Sequence, residues 1–178
     1  MSNNLKLSVC VVSYNQEAYI RKCLQSIVDQ KTDFSFEVVV GDDCSTDETR
    51  KIIKEFEHQY PDIIKPIYNN KNLGAAQNAI SVRKKCKGMY IAHIDGDDYC
   101  LPGKFQSQVD FLDSNPDFNL VAHRMILLRD DEEIGLSKKN PEIIDMSYLL
   151  KHHPIFLNSS TMIRQSAWEI VPKHENLL

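Results

Sequence analysis

Three aspartates within four positions are the first feature of the sequence that could carry chemistry. Asp95, Asp97 and Asp98 surround one glycine, Gly96, directly after an apolar run. Carboxylates this close repel one another unless water, a cation or a proton offsets their charge. Because Mg²⁺ and Mn²⁺ prefer carboxylate and phosphate oxygens, the cluster predicts a divalent-metal site. A solvated acidic turn is the alternative, and these residues alone leave it open.

Polar residues follow two other apolar runs in the same manner. Ser13, Tyr14 and Asn15 come after the first run, and Asp42 and Asp43 come after the second. A tyrosine can stack on a nucleobase, and a carboxylate can accept hydrogen bonds from a base or a ribose. Each residue also has an ordinary structural role, as a packed ring or as a charge that precedes a helix. Taken singly, these residues leave both interpretations open.

The apolar pattern of the chain predicts strands that alternate with helices. Short β-branched runs predict buried strands, and apolar residues three or four positions apart predict helices. The predicted strands are Leu7–Val12, Phe36–Val40, Ile63–Tyr68, Met89–Ile94, Phe118–Leu128 and Phe156–Ile163. The predicted helices contain residues 20–28, 49–60, 74–87, 105–112 and 142–151.

Local signals refine these elements. Pro66 confines the third strand to an edge or a bulge. Ser45 with Glu48 predicts a capping box at the start of the second helix, and Gly88 predicts the C-terminal cap of the third. The charged segment 129–133 predicts a solvated hairpin turn. The apolar residues of the third predicted helix are Ala75, Ala76, Ala79 and Ile80.

The alternation of strands and helices predicts the fold class. It indicates βαβ units and an α/β fold with a Rossmann-like, mostly parallel sheet flanked by helices. Near-continuous apolar runs fit strands that are buried on both faces. In such sheets ligands bind at the carboxyl ends of the strands. The three polar segments 13–15, 42–43 and 95–98 are therefore predicted to meet at one edge of the sheet.

The composition narrows the class of protein. With 178 residues and 42% hydrophobic content, the chain predicts one folded domain. Its net charge of −4 argues against a nucleic-acid partner that binds through a basic surface. The five cysteines form no C-x-x-C pair, which predicts buried, reduced thiols rather than a zinc site. Since the sequence has neither a signal peptide nor a transmembrane segment, the expected location is cytoplasmic.

Other common nucleotide and metal motifs are absent from the sequence. It contains neither G-x-G-x-x-G nor G-x-x-x-x-G-K-[ST], and no G-x-S-x-G. An EF-hand that starts at the first aspartate of the cluster is excluded. Tyr99, Cys100 and Gln106 stand where that loop requires an acid, a glycine and a glutamate. Without a glycine-rich cradle, a bound diphosphate needs a metal to balance its charge, and the acidic cluster would supply that site.

Four segments of the chain are specific when taken together. They are VVSYNQEAYI at 11–20, VVVGDDCSTDET at 38–49, NLGAAQN at 72–78 and YIAHIDGDDYCLPGKFQSQVDFL at 90–112. In this order and spacing they resemble family 2 glycosyltransferases of the GT-A fold, and the resemblance extends from Leu7 to about Trp168. It implies a hexosyltransferase that takes a sugar from a nucleotide-diphosphate sugar, typically UDP-linked, with inversion and with Mn²⁺ or Mg²⁺ as cofactor. The implied acceptor is a glycan, a lipid-linked molecule or a protein.

The resemblance also implies roles for individual residues. Asp43 would contact the base, Asp95 would reach both the ribose and the metal, and Asp97 would bind the metal. The residues implied in donor binding are Ser13, Tyr14, Asn15, Asp42, Asp43, Asn72, Gly74, Asn78, Asp95 and Gly96. The implied metal ligands are Asp95 and Asp97. Bacterial relatives that build cell-surface glycans imply a peripheral place at the cytoplasmic face of a membrane.

The end of the chain departs from the family pattern. In the family the acid that deprotonates the acceptor follows a strand and helix like Phe156–Trp168, and here Glu169 and Glu175 stand in no matching motif. We therefore expect residues 1–178 to form a single GT-A domain that stops before the acceptor and catalytic-base segment. A non-catalytic domain that binds a nucleotide sugar is one alternative. A nucleotidyltransferase is another, although residues 13–16 stand where such enzymes usually carry a glycine-rich basic loop.

Overall fold

Strands and helices alternate in the computed structural model of the protein, which describes residues 5–145, 148 and 157–169. The strands are β1 (Leu7–Ser13), β2 (Phe36–Asp42), β3 (Ile64–Tyr68), β4 (Tyr90–Asp95), β5 (Leu120–Ala122), β6 (Ile126–Arg129), β7 (Glu132–Leu136) and β8 (Thr161–Arg164). The helices are α1 (Ile20–Val28), α2 (Thr49–Gln59), α3 (Ala75–Arg83), α4 (Lys104–Ser114) and α5 (Gln165–Glu169), with a 3₁₀ turn at Asn158–Ser160. Of the helix predicted at 142–151, residues 142–145 are not helical, and residues 146, 147 and 149–151 lie outside the described residues.

A six-stranded sheet organises these elements, in the order β3-β2-β1-β4-β8-β5. The first four strands are parallel, and β8 pairs antiparallel with both β4 and β5. The predicted α/β architecture with a mostly parallel sheet is therefore confirmed. Pro66 lies in β3 at the edge of the sheet, as predicted, because a proline has no N–H to donate to a further strand.

Helices cover both faces of the sheet, so alternate residues of one strand enter different cores. Val9 and Val11 of β1 pack in the larger core with α1, α2 and α4, whereas Cys10 between them packs with Val82 of α3. Burial on both faces explains the near-continuous apolar runs in the sequence. All five cysteines are free thiols, and four of them are buried, as predicted. In the described part of the chain, no helix is both long and apolar enough to cross a bilayer.

Several predicted strand boundaries are wrong. β2 continues beyond the predicted Phe36–Val40 to Asp42, which pairs in register with Ser13 of the neighbouring strand. The single strand predicted at Phe118–Leu128 is two strands, because β5 joins the main sheet while β6 forms a separate hairpin with β7. The hairpin turn predicted at 129–133 is confirmed. The last predicted strand begins at Phe156, a residue that lies outside the described residues. Among the described residues of this segment the strand is β8, and the 3₁₀ turn precedes it.

The predicted capping box at the second helix does not form. α2 begins at Thr49. The N-cap residue before it, Glu48, makes no capping hydrogen bond through its side chain. The hydroxyl of Ser45 instead accepts a hydrogen bond from the backbone N–H of Asn15 at 3.0 Å. A contact between two loops has therefore replaced the local cap that the sequence pattern predicts.

The predicted third helix forms, but most of its apolar residues are not buried. α3 buries Asn78 and Val82, whereas Ala75, Ala76 and Ile80 are exposed. The helix lies very close to β2 at Gly41, where an added Cβ would stand 2.3 Å from Val82 and 2.5 Å from the amide oxygen of Asn78. The absence of a side chain at Gly41 thus selects which face of α3 meets the sheet.

Gly88 does not cap α3, which ends at Arg83. Its N–H donates to the hydroxyl of Ser8 at 2.8 Å. An added Cβ at this position would stand 2.4 Å from the backbone nitrogen of Ser8 and 2.5 Å from the carbonyl carbon of Leu7. Gly88 is therefore needed because the chain passes against the backbone of β1 as it enters β4.

We expect Gly88→Ala to lower the free energy of unfolding by about 1–3 kcal/mol, since the contacted atoms are backbone atoms of a central strand and cannot move aside. The measurement is the urea midpoint at unchanged slope. Lys87→Ala, which changes an exposed neighbouring side chain, is the control and should stay within about 0.5 kcal/mol of the wild type. Equal stability of the two variants would contradict this account of Gly88.

Candidate functional site

The parallel register brings the three predicted polar segments to one edge of the sheet. Ser13, the last residue of β1, pairs with Asp42 at the end of β2, and Val12 pairs with Asp95 at the end of β4. The loops that follow these strands therefore leave the sheet side by side. This convergence is the arrangement that the sequence predicts for a ligand site.

Reciprocal hydrogen bonds join the loop after β1 to the loop after β2. Asn15 has a left-handed backbone (φ 50°), and its side-chain oxygen accepts from the N–H of Thr46 at 2.9 Å. The N–H of Gln16 donates to the hydroxyl of Thr49 at 2.8 Å. Asn15 therefore fixes the two loops together, whereas the neighbouring ring of Tyr14 is 45% exposed and remains accessible. Sequence reasoning missed the roles of Thr46 and Thr49, because their partners lie about thirty residues away.

Asp42 is fully buried and acts within the protein. One of its oxygens accepts from Arg50 Nε at 2.6 Å, and the other accepts from the N–H of Ser45 at 3.2 Å. The same guanidinium donates through Nη2 to the carbonyl of Asn69 at 2.8 Å. Asp42 and Arg50 thus tie the loop after β2 to the end of β3.

Asp43 is 2% exposed and organises the segment that leads into α3. Its Oδ1 accepts from the side chain of Asn69 and from the N–H of Leu73, both at 2.9 Å. Its Oδ2 accepts from the N–H of Gly74 at 2.8 Å. A carboxylate can accept about four hydrogen bonds, so one acceptor position remains for a ligand.

The third segment implied in donor binding divides into an exposed part and a buried part. Asn72 is exposed, and its side-chain oxygen accepts from the N–H of Gly74 at 2.9 Å. Gly74 has a φ of 83°, which a glycine adopts without strain. Asn78 is buried, and its side-chain amide donates to the carbonyl of Gly41 at 2.9 Å. Asn78 therefore supports the site from below, whereas Asn72 and Gly74 lie at its rim.

Gly96 lets the acidic loop lie against the end of β1. Its N–H donates to the carbonyl of Val12 at 2.9 Å, and an added Cβ would stand 3.0 Å from that same oxygen. The same Cβ would be 2.3 Å from the side-chain oxygen of Gln16 and 3.1 Å from Ser13. Ser13 Oγ and Gln16 Oε1 are buried and make no hydrogen bond to the described residues. They are polar atoms with free capacity beside the acidic loop.

Two residues that sequence reasoning missed hold Asp95 in place. Its N–H donates to the hydroxyl of Ser159 at 2.9 Å, and its Oδ1 lies 3.0 Å from His93 Nε2. Burial opposes a charge on His93, but the hydrogen bond to Asp95 and interactions with Cys10 raise the pKa of His93 to about 9. Ser159 comes from the 3₁₀ turn before β8, so no local sequence signal connects it with Asp95.

The other two aspartates of the cluster differ in exposure. Asp97 is exposed, whereas Asp98 is half-buried. Burial raises the pKa of Asp98, a hydrogen bond with Ser159 opposes this, and the charges of Asp97 and Asp95 add to it. This direction agrees with the repulsion expected from the sequence.

The donor atoms of the acidic loop fit a hard cation that also binds substrate oxygens. Among the described residues, no three Asp, Glu, His or Cys side chains converge as a metal site made by protein alone would require. Mg²⁺ and Mn²⁺ commonly use one or two carboxylates together with substrate phosphates and water. Asp95 and Asp97, two carboxylates on one loop, match that pattern of ligands.

A cavity of about 1200 Å³ opens beside the acidic loop. It extends from Asp97 and Asp98 along the first turns of α4 to the β6–β7 hairpin, and Tyr19, Tyr99 and Phe111 contribute exposed rings to its walls. The site therefore combines the converging loops after β1 and β2 with a cavity beside Asp97 and Asp98. Glu175 and the side chain of Glu169 lie outside the described residues.

The chain matches proteins of one class along most of its length. The family model for glycosyl transferase family 2 matches residues 8–171. An uncharacterized protein of Mycobacterium tuberculosis is 35% identical over 172 residues, which are 93% of this chain and 49% of that protein. The putative glycosyltransferase EpsE of Bacillus subtilis is 29% identical over 179 residues, which cover 99% of this chain and 63% of EpsE. The chain thus spans about half the length of the mycobacterial relative.

Solved structures of S. aureus TarS share the fold. TarS 1-349 superposes with a TM-score of 0.71 and 27% identity, over 93% of this chain and 48% of that chain. TarS 1-349 in complex with UDP-GlcNAc has a TM-score of 0.58 and 32% identity, over 65% of this chain and 33% of that chain.

We expect Asp42→Asn to lower the free energy of unfolding by about 2 kcal/mol, because it removes the charge of a buried acceptor and leaves Arg50 without its counter-ion. The exposed pair of Arg21 and Glu55 has nearly the same N–O distance, 2.5 Å against 2.6 Å. Glu55→Gln is therefore the matched control, with an expected loss below about 0.5 kcal/mol. Urea unfolding measures both variants, and equal losses would show that Asp42 is not the internal anchor described.

Proposed function

The chain belongs to glycosyl transferase family 2 and has the GT-A fold, and on that premise we propose that it transfers a sugar from a nucleotide-diphosphate sugar to an acceptor hydroxyl, with inversion and with Mn²⁺ or Mg²⁺. The observation that carries the proposal is the convergence at one sheet edge of the loops after β1, β2 and β4, with Asp97 of the acidic loop at the mouth of the cavity. The expected donor is UDP-linked, in line with the UDP-GlcNAc bound by TarS.

The nucleotide is placed across the ends of β1 and β2. The exposed ring of Tyr14 offers a stacking surface for a base. Asp43 keeps one acceptor position for a base N–H, while its other bonds hold the segment 69–74 at the rim. Ser13 Oγ and Gln16 Oε1 are buried next to Gly96 without a hydrogen-bond partner among the described residues, and they lie beneath this surface. Asp42 and Asn78 act as positioning residues, because they are buried and their polar side-chain atoms bind other parts of the protein. Asn15 binds the loop at Thr46 through its side-chain oxygen, and its exposed side chain lies beside the donor.

The donor diphosphate is placed at the acidic loop, where Asp95 and Asp97 would hold the metal. When bound, the metal would balance the charge of the diphosphate and stabilise it as a leaving group. Ser159 and His93 orient Asp95 through its N–H and through Oδ1, which leaves Oδ2 free to bind a ligand. Gly96 keeps the loop close to β1, so that the nucleotide surface and the acids are adjacent.

The acceptor is placed in the cavity on the other side of the acids. In an inverting transfer the acceptor oxygen bonds to the anomeric carbon on the face opposite to the diphosphate. The bond from that carbon to the phosphate oxygen breaks, and the hydroxyl proton passes to a base. The cavity is large enough for sugar units and begins at Asp97 and Asp98, where the donor sugar would lie.

We expect UDP with Mn²⁺ to raise the melting temperature by roughly 5–11 °C. A ligand at 100 times its Kd, bound only to the native state, adds about 2.7 kcal/mol, and each kcal/mol is worth about 2–4 °C for a domain of this size. The measurement is a thermal-shift titration with UDP, Mn²⁺ and both together. The proposal fails if no nucleoside diphosphate shifts the melting temperature with any divalent cation.

We expect Asp97→Asn to abolish the metal-dependent part of UDP binding while leaving the fold intact, because it removes one anionic ligand with little change of shape. Calorimetric titration of UDP with and without Mn²⁺ measures this part. Asp117→Asn, at an exposed aspartate just beyond α4, is the matched control and should bind like the wild type. The same metal dependence in Asp97→Asn as in the wild type would refute the assignment of Asp97.

A further inference from the structure

The cavity beside the acidic loop contains a lysine without a carboxylate partner. Lys104, the first residue of α4, donates from Nζ to Gln108 Oε1 at 3.0 Å and to His123 Nε2 at 2.8 Å. No carboxylate oxygen of the described residues lies within ion-pairing distance of Nζ. Because an ammonium group has three N–H donors, one of them is left for a ligand.

Both partners of the ammonium are neutral. His123 Nδ1 lies 2.8 Å from the carbonyl oxygen of Arg124, which can only accept, so Nδ1 carries the proton and Nε2 offers its lone pair to Lys104. Burial and the neighbouring charge of Lys104 lower the pKa of His123, which keeps the ring uncharged at neutral pH. Burial lowers the pKa of Lys104 to about 8, so its ammonium still predominates at pH 7. A half-buried cation that is held only by neutral acceptors is favourably neutralised by an anion.

The other cationic side chains around the cavity are exposed. Lys22 pairs with Asp131 at 3.3 Å and lies over the ring of Tyr99 at 4.1 Å from its centroid. Arg124 donates from Nε to the carbonyl of Ser137 at 2.9 Å. Lys104 differs from both because its side chain is half-buried and is held by neutral acceptors.

Carboxylates and cations both line the cavity. Asp97 and Asp98 lie at the acidic loop, Asp130 and Asp131 lie at the hairpin turn, and Lys104 lies on α4. An anionic group that enters the cavity is repelled by these carboxylates and attracted by Lys104. The hydroxyl of such an acceptor would lie at the acidic loop, and its anion would lie at Lys104.

We propose that Lys104, held by Gln108 and His123, binds a carboxylate or phosphate group of the acceptor and so makes the cavity selective for anionic acceptors. This assignment rests on the proposed function, because it is the transfer reaction that places an acceptor in the cavity. Carboxylate and phosphate share the chemistry that an ammonium group recognises, so the test includes a probe of each kind.

The test is a ligand-observed NMR titration of the protein with UDP and Mg²⁺ present. The probes are methyl β-D-glucuronide, glucose 6-phosphate and the neutral methyl β-D-glucoside. At least one anionic probe should bind about tenfold or more tightly than the neutral probe, in keeping with the strength of a charge-assisted hydrogen bond. Preference for glucuronide identifies a carboxylate acceptor, and preference for the phosphate identifies a phosphorylated one. Equal binding of all three probes, or binding of none, overturns the proposal.

Lys104→Met should remove the anionic preference while leaving the UDP-dependent thermal shift unchanged, since methionine keeps the length of the side chain and loses its charge. Lys85→Met is the control and should keep the preference. Lys85 is an exposed lysine after α3, near the opposite edge of the sheet. If Lys104→Met retains the preference, the assignment is wrong. A loss of UDP binding with anion binding intact would count against the proposed function and not against Lys104.

The wild type gives a second readout that does not depend on the variant folding. Anion binding should weaken as the pH rises from 7 to above 9, because Lys104 loses its proton through about 8. The titratable groups that face this ammonium are His123 on the loop after β5 and Cys100 before α4, with Asp97 and Asp98 across the cavity. His123 is already neutral, so it does not produce this loss. An anion affinity that stays constant over this range would also overturn the proposal.

Discussion

Parallel pairing of β1 with both β2 and β4 is the constraint on which the site depends. Because the register aligns Ser13 with Asp42 and Val12 with Asp95, the loops after the three strands leave the sheet at the same level. Close packing then fixes them: Gly96 lies against the carbonyl of Val12, and Asn15 bonds to the loop at Thr46. A shift of one residue in either pairing would turn these side chains to the opposite face and separate them.

The aspartates at this edge of the sheet fall into two groups that differ in burial. Asp42 and Asp43 are buried and accept most of their hydrogen bonds from the protein, so their charges organise loops. Asp97 is exposed and Asp95 is half-buried, so their carboxylates are open to the metal of the proposed function. The cavity beyond them is lined by carboxylates and by cations, among which Lys104 is half-buried. Aspartates a few positions apart thus differ in burial, and the proposed function gives them different roles.

The sequence predicts the central strands and their polar loops because each strand is a short apolar run and each loop follows it directly. It could not predict the partners of Asp42 and Asp43, since Arg50 and the segment around Asn69 belong to other elements. The sequence also could not predict which face of α3 is buried, because the missing side chain of Gly41 on a neighbouring strand determines it. Ser159 reaches Asp95 from a turn more than sixty residues away. The roles implied for individual residues by family resemblance, those of Asn15 and Asn78 included, stay proposals.

The proposed function requires a divalent cation between the nucleotide surface and the cavity, on the loop that carries Asp95 and Asp97. Paramagnetic broadening of backbone amide signals by Mn²⁺, with UDP present, detects a cation on this loop. We expect substoichiometric Mn²⁺ to broaden residues 95–98 and 13–16 first and to leave Gly88 and the end of α3 unaffected. Broadening that begins instead at the acidic hairpin turn 129–133, with residues 95–98 still sharp, would contradict the account.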